Sequence, residues 1–109
     1  MSFGLGRGRA LDAAPGRIGI SPEELPALPD DARQHSGGGR VDPRAWFAHP
    51  DRPLEIEIGS GKGAFLLQQA SQDPRTNYLG IEWAGEFYAY TADRVRRRGL
   101  ENVRVLHGD

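Results

Sequence analysis

The 109-residue sequence contains no cysteine. That excludes disulfides, thiolate zinc sites and thiol nucleophiles among these residues. Lysine is almost missing as well: thirteen arginines and one lysine make up the fourteen basic residues. With fifteen acidic residues the net charge is −1, so bulk charge predicts no strong pull toward nucleic acid or an anionic membrane. Arginine suits phosphate and planar-base contacts better than lysine does, but genome composition produces the same bias, and both readings stand. Long apolar runs are also missing. None approaches the roughly 20 residues needed to span a bilayer, and the opening MSFGLGRGRALDAAPGRIGI lacks the continuous apolar core of a signal peptide. His35, His49 and His107 lie far apart without ligand spacing. The expectation is a soluble cytoplasmic protein with no membrane and no metal partner.

What is present divides near Pro53. Seven of the eight prolines and eight of the fifteen glycines lie at or before it. Residues 1–52 therefore read as an irregular, flexible N-terminal arm, whose first 42 residues bury too little apolar surface to offset their ordering entropy. Within the arm, HSGGGR (35–40) is a linker by composition. Ser21 and Pro22 suit a cap and first position of a short helical turn. Trp46 and Phe47 should pack on the first strand or helix that follows.

From residue 53 the pattern is regular. Residues 54–58 predict a strand with Leu54, Ile56 and Ile58 on one face. Residues 64–72 predict a helix that buries Phe65, Leu66 and Ala70 and stops at Asp73-Pro74. Residues 77–83 predict a second strand. Residues 84–98 predict a second helix, with Phe87, Tyr90 and Val95 on one face and Gly99 just past its end. NVRVLHGD predicts a third strand, with Val103 and Val105 on one face. The order β-α-β-α-β implies an α/β, Rossmann-like fold with parallel strands and right-handed crossovers. About 57 residues are marginal for an independent core, so residues 53–109 read as the N-terminal half of a larger domain.

The stretch EIEIGSGKGAF (55–65) carries the chemistry. A phosphate-binding P-loop needs G-x-x-x-x-G-K-[ST]. Ile56 stands in place of its first glycine and Gly63 in place of its hydroxyl, so a P-loop is excluded. The G-x-G-x-x-G dinucleotide fingerprint is met only weakly by Gly59, Gly61, Gly63 and Ala64, and a plain strand-to-helix turn explains the glycines equally. The acids discriminate better. Glu57 precedes the glycines inside a strand, where it would repel a pyrophosphate but suit an ammonium or sulfonium. Glu82 ends the second strand, where a carboxylate accepts ribose hydroxyls. Asp109 ends the third, near where an adenine amine would lie. Acids at three strand ends fit a ligand with an amino acid end, a ribose and an adenine, as in S-adenosylmethionine. Charged residues also commonly end strands without any ligand.

LEIEIGSGKGAFL, NYLGIEW and GLENVRVLHGD together resemble three consecutive motifs of the bacterial tRNA (guanine-N7)-methyltransferases, class I enzymes that use S-adenosylmethionine. In that family an E-I-G-x-G-x-G loop, a G-I-E strand end and an N-[LV]-R-V-x-x-x-D strand end bind the cofactor. The resemblance covers residues 54–109. It implies that Glu57, Gly59 and Gly61 line the methionine end, that Glu82 holds the ribose and Asp109 lies near the adenine, with Ser60, Gly63 and Trp83 also among the cofactor-binding residues. The implied activity is methyl transfer to N7 of a guanine in the variable loop of tRNA. Trp83 departs from the small or β-branched residue common there; its ring either flanks the adenine or packs in the core, and packing is the expectation. No catalytic residue is expected in this chain, because the family's P-D-P-W segment, with its Asp, lies beyond residue 109 along with the RNA-recognising segments. A nicotinamide-dependent oxidoreductase half and a non-catalytic nucleotide-binding module remain the alternatives. Arg94, Arg96, Arg97 and Arg98 read as a solvated helix end, Lys62 as solvent-facing, and Phe87 and Tyr90 as core. Arg7, Arg9 and Arg17 suit a mobile basic arm for RNA, but FGLGRGR is too short to decide it.

Overall fold

The computed structural model describes residues 10–25, 42–59 and 62–108. Among these residues four strands form one parallel sheet in the order β1-β4-β3-β2: β1 (Gly19–Ile20), β2 (Leu54–Ile58), β3 (Asn77–Glu82) and β4 (Val103–His107). Two helices connect them, α1 (Ala64–Gln72) between β2 and β3 and α2 (Gly85–Arg98) between β3 and β4. Parallel neighbours cannot be joined by tight turns, so each connection must cross over, and a helix is the usual way to do it. The register runs from Leu54 opposite Asn77 to Ile58 opposite Ile81, and from Tyr78 opposite Val103 to Glu82 opposite His107. From residue 54 on the elements match those expected, except that β3 stops at Glu82, Ala84 caps α2 rather than opening it, and β4 covers only Val103–His107 of the expected 102–109.

Side chains alternate across a strand, so the register divides the sheet into two faces. On one face Leu66, Leu67 and Ala70 of α1 and Ala92 and Val95 of α2 pack on Tyr78, Val103 and Val105, with Ile18 beside them. On the other, Ile20, Phe47 and Leu79 form a smaller cluster joined by Leu25, Trp46, Leu54, Ile81 and Leu106. Trp46 and Phe47 thus pack as expected, delivered by a 3-10 turn over Pro43–Trp46. The short helical turn expected after Ser21 is a 3-10 turn over Pro22–Glu24, and the Ser21 N–H donates to the Glu24 carboxylate at 2.6 Å.

Three expectations need correction. The irregular arm is not irregular throughout: Gly19 and Ile20 pair with Val105 and Leu106 as an edge strand, and Ile18 and Ile20 are core residues. Local composition hid this because two residues gain their order from β4, not from each other. Phe65 is 61% exposed; α1 turns Leu66, Leu67 and Ala70 inward instead. Leu54, Ile56 and Ile58 do share one face, but Ile56 and Ile58 are 51% and 76% exposed, because β2 is an edge strand and the Phe47 cluster reaches only Leu54 on it. Phe87 and Tyr90 are only half-buried, while Thr91, Ala92, Asp93 and Val95 form the buried side of α2.

Buried polar groups hold the irregular segments to this frame. The Asn102 amide donates to the carbonyls of Ala70, Asp73 and Thr76 at 3.1, 3.2 and 2.9 Å, satisfying orphan acceptors at the end of α1. Asn77 Nδ2 donates to the His49 carbonyl at 2.9 Å. Arg104 donates to the carbonyls of Trp46 and Ile18 at 2.7 and 3.1 Å, which joins the 3-10 turn to the chain entering β1. Burial pushes the Arg104 pKa down.

Asp93 is fully buried on α2 and accepts from Arg96 at 2.7 Å, Arg97 at 2.9 Å and the Asp12 N–H at 3.2 Å. Desolvation alone would raise its pKa. The donors from Arg96, Asp12 and Arg97 outweigh that and hold it below the usual carboxylate value. A carboxyl depressed in the folded state contributes stability that is present above its unfolded pKa and lost as pH falls through its folded one. Asp93→Ala should therefore cost about 2–4 kcal/mol in urea unfolding at pH 7. Asp93→Asn should lose less stability than the parent between pH 5 and about pH 3. An acid profile for the Asn variant that parallels the parent would exclude this role.

Candidate functional site

Because all four strands run in one direction, their carboxyl ends meet at one edge of the sheet, the edge where open α/β sheets hold ligands. The register places Glu57 opposite Gly80 and Glu82 opposite His107, two residues further along, so Glu57, Glu82 and His107 share the helix-covered face. Two backbone bonds extend the ladder past the strand ends: Gly59 N–H to the Ile81 carbonyl at 2.8 Å and Gly108 N–H to the Glu82 carbonyl at 3.0 Å.

Glu57 is partly buried just before the glycine turn, and desolvation pushes its carboxyl pKa up. Among the described residues it has no ion-pair partner. A partly desolvated carboxylate in this state favours a cation brought to it. Gly59 has φ +71, and a β-carbon there would meet nothing within 4 Å. The backbone conformation requires glycine, and the space beside it is open. Gly63 differs. It also has a positive φ, +77, but its β-carbon would lie 2.5 Å from Thr91 Cγ2 and 3.1 Å from Leu67 Cδ1. Its lack of a side chain lets the start of α1 press against α2. Ser60, Gly61 and Asp109 lie outside the described residues.

Glu82 is 2% exposed, and its Oε1 accepts the Ala84 N–H at 3.2 Å, which places negative charge at the start of α2. Trp83 is 73% exposed at the same edge. The expectation that its ring packs in the core is therefore corrected: β3 ends one residue earlier, and the turn carries the ring outward. Lys62 is exposed as expected, though its carbonyl accepts from Arg94 at 3.2 Å. Arg94 also sits 5.6 Å from the Tyr90 ring. With Arg96 and Arg97 paired to Asp93, three of the four arginines expected to form a solvated helix end have protein partners.

Sequence reasoning missed the pair Tyr88 and His107. Their rings stack with centroids 4.9 Å apart and an interplanar angle of 16°. His107 Nε2 lies 3.2 Å from the Trp83 carbonyl. The available signal was the position of His107 at the end of β4, opposite Glu82. Among the described residues no group of three His, Cys, Asp or Glu could hold a metal, and no helix is long and apolar enough to cross a membrane.

A protein-family model described as "Putative methyltransferase" matches residues 51–109. A tRNA (guanine-N(7)-)-methyltransferase of Rhodopirellula baltica is 37% identical over 89 residues, covering 82% of this chain and 28% of the relative. An enzyme of the same name from Streptococcus thermophilus is 46% identical over 59 residues, covering 54% of this chain and 28% of the relative. One from Streptococcus pneumoniae is 41% identical over 59 residues, with the same coverage. The chain spans 28% of the length of these curated relatives.

The two glycines make different demands, and substitution separates them. Gly63→Ala should cost about 2–4 kcal/mol from strained backbone plus overpacking against Thr91. Gly59→Ala should cost only the backbone part, about 1–2 kcal/mol. Equal losses in thermal or urea unfolding would contradict the assigned crowding at Gly63.

Proposed function

Since the chain belongs to the methyltransferase family whose relatives are the tRNA (guanine-N(7)-)-methyltransferases, we propose that it supplies the S-adenosylmethionine pocket of an enzyme that methylates guanine N7 in tRNA. The observation that carries this reading is Glu57, a partly desolvated carboxylate with no ion-pair partner among the described residues, at the glycine turn on the same edge as Glu82. Those residues fit the group. Glu57 suits the cationic amino acid end, and the open space beside Gly59 admits it.

When bound, the cofactor supplies a methyl group on a positively charged sulfur, already a strong electrophile. The chain's own residues then bind and orient. Glu57 attracts the ammonium, and the Gly59 turn lets the backbone come close. Glu82 accepts the ribose hydroxyls while its carboxylate keeps the Ala84 N–H, since a carboxylate accepts several hydrogen bonds. Trp83 offers an exposed ring beside the adenine, and Asp109 and Gly61 complete the pocket. Guanine N7 carries a free lone pair on the major-groove edge, so the reaction needs no base to remove a proton before attack. Alignment and proximity then account for most of the rate, and no catalytic residue is assigned to this chain. Cytoplasmic tRNA modification is the corresponding biological role.

Calorimetry with S-adenosylhomocysteine and with NADH tests the reading, using both this chain and the complete gene product. Binding of NADH alone would turn the assignment to an oxidoreductase. Cofactor binding by the complete gene product without methyl transfer to unmodified tRNA would favour a non-catalytic module. Glu82→Ala should weaken S-adenosylhomocysteine binding by about 1–3 kcal/mol; unchanged affinity would remove Glu82 from the pocket. Glu57→Gln should weaken it similarly without lowering ligand-free stability at pH 7, because a carboxyl raised on folding costs stability once ionised. Parent affinity should also fall from pH 7 toward pH 5 as Glu57 takes up a proton, and the Gln variant should lose that part of the dependence.

A further inference from the structure

The turn between β3 and α2 presents both Glu82 and the exposed Trp83, yet it is only two residues long, Trp83 and Ala84. Three bonds converge on it. Ala84 N–H reaches back to the Glu82 carboxylate, and Gly108 N–H reaches the Glu82 carbonyl. The third is a side-chain contact, from His107 Nε2 to the Trp83 carbonyl at 3.2 Å. A carbonyl accepts only, so Nε2 must carry the hydrogen. The imidazole is held for this by its stack on Tyr88, which α2 supplies. Gly85, the first residue of α2, lies against the same ring, with its β-carbon position 3.6 Å from His107 Cε1.

We infer that His107 is a positioning residue for ligand binding. It extends the β3–β4 ladder by one side-chain hydrogen bond, and so holds the Trp83 backbone and aims the Trp83 ring at the binding edge. The inference rests on the S-adenosylmethionine reading for the identity of the ligand, but not for the mobility of the turn. His107 itself need not touch the ligand. The bond at stake is a neutral or cationic N–H to a carbonyl, of the kind whose loss costs roughly three- to tenfold in an equilibrium.

The test separates the ring from the hydrogen. His107→Phe keeps an aromatic ring for Tyr88 but removes the donor. His107→Gln places an amide nitrogen at the same number of bonds from the backbone as Nε2, whereas His107→Asn places it one bond shorter, at the Nδ1 position. In a Trp46→Phe background Trp83 is the sole tryptophan of these 109 residues, so in this chain its fluorescence anisotropy reports the turn directly. We expect the Phe and Asn variants to show lower Trp83 anisotropy without ligand and to bind S-adenosylhomocysteine about three- to tenfold more weakly. The Gln variant should stay within about twofold of the parent in affinity, and its anisotropy should match the parent's. Thermal midpoints measured alongside identify any variant that fails to fold, and the Gln and Asn pair, matched in chemistry, then decides. Equal anisotropy and affinity in the Gln, Asn and Phe variants would overturn the inference. A parent protein that binds no S-adenosylhomocysteine would sink the cofactor reading instead, and the inference would then be judged on Trp83 anisotropy alone.

Discussion

The hydrogen-bonded ladder along β3 is the constraint on which the other features depend. β3 pairs on both sides, with β2 and β4, and every residue from Asn77 to Gly80 is buried. Both neighbours run parallel to it, so both crossovers must return the chain to the same end of the sheet. That places the ends of β2, β3 and β4 side by side. It also sends α1 and α2 to one face, as right-handed crossovers advancing in one direction require. A slip of one residue in either register would turn Glu57 or Glu82 to the other face and break the shared edge.

A small sheet of this kind offers little apolar surface to its flanking segments, and buried polar groups make up the difference. Asn102 covers three carbonyls near the end of α1, Arg104 joins two distant backbone segments, and Asp93 draws in Arg96, Arg97 and the Asp12 backbone. Each is nearly or largely withdrawn from water, where a hydrogen bond is directional and its loss costs more than an exposed one. These contacts bring residues 10–25 and 42–53 onto the sheet. The carboxyl edge of β2 shows the opposite economy: Glu57 sits partly desolvated without an ion-pair partner among the described residues, a local cost that burial imposes on an ionised carboxyl.

The helices and strands from residue 54 onward were legible because periodicity and punctuation agree there: alternating apolar residues in β2, Asp73-Pro74 after α1, three arginines and Gly99 at the end of α2. The acids Glu57 and Glu82 were legible as site candidates because a carboxylate in or at the end of an apolar strand is conspicuous. Less legible was how far each side chain is covered. Phe65, Ile56, Ile58 and Trp83 are as apolar as Leu66 or Leu79, but burial depends on which neighbour lies above them. β1 escaped notice because two residues carry no period. His107 and Tyr88 escaped because their stack joins residues 19 apart through the β4–α2 packing.

The sequence by itself determined the order of elements, the parallel arrangement, the family and the acids at the carboxyl ends of β2 and β3, because these follow from local spacing and motif. Only the tertiary structure decided that residues 18–20 join the sheet, that Gly63 serves helix packing, that Asp93 clasps the chain before β1, and that His107 holds the turn bearing Trp83. Each of these depends on groups brought within a few ångströms by the register of the parallel strands, and no spacing along the chain encodes that distance.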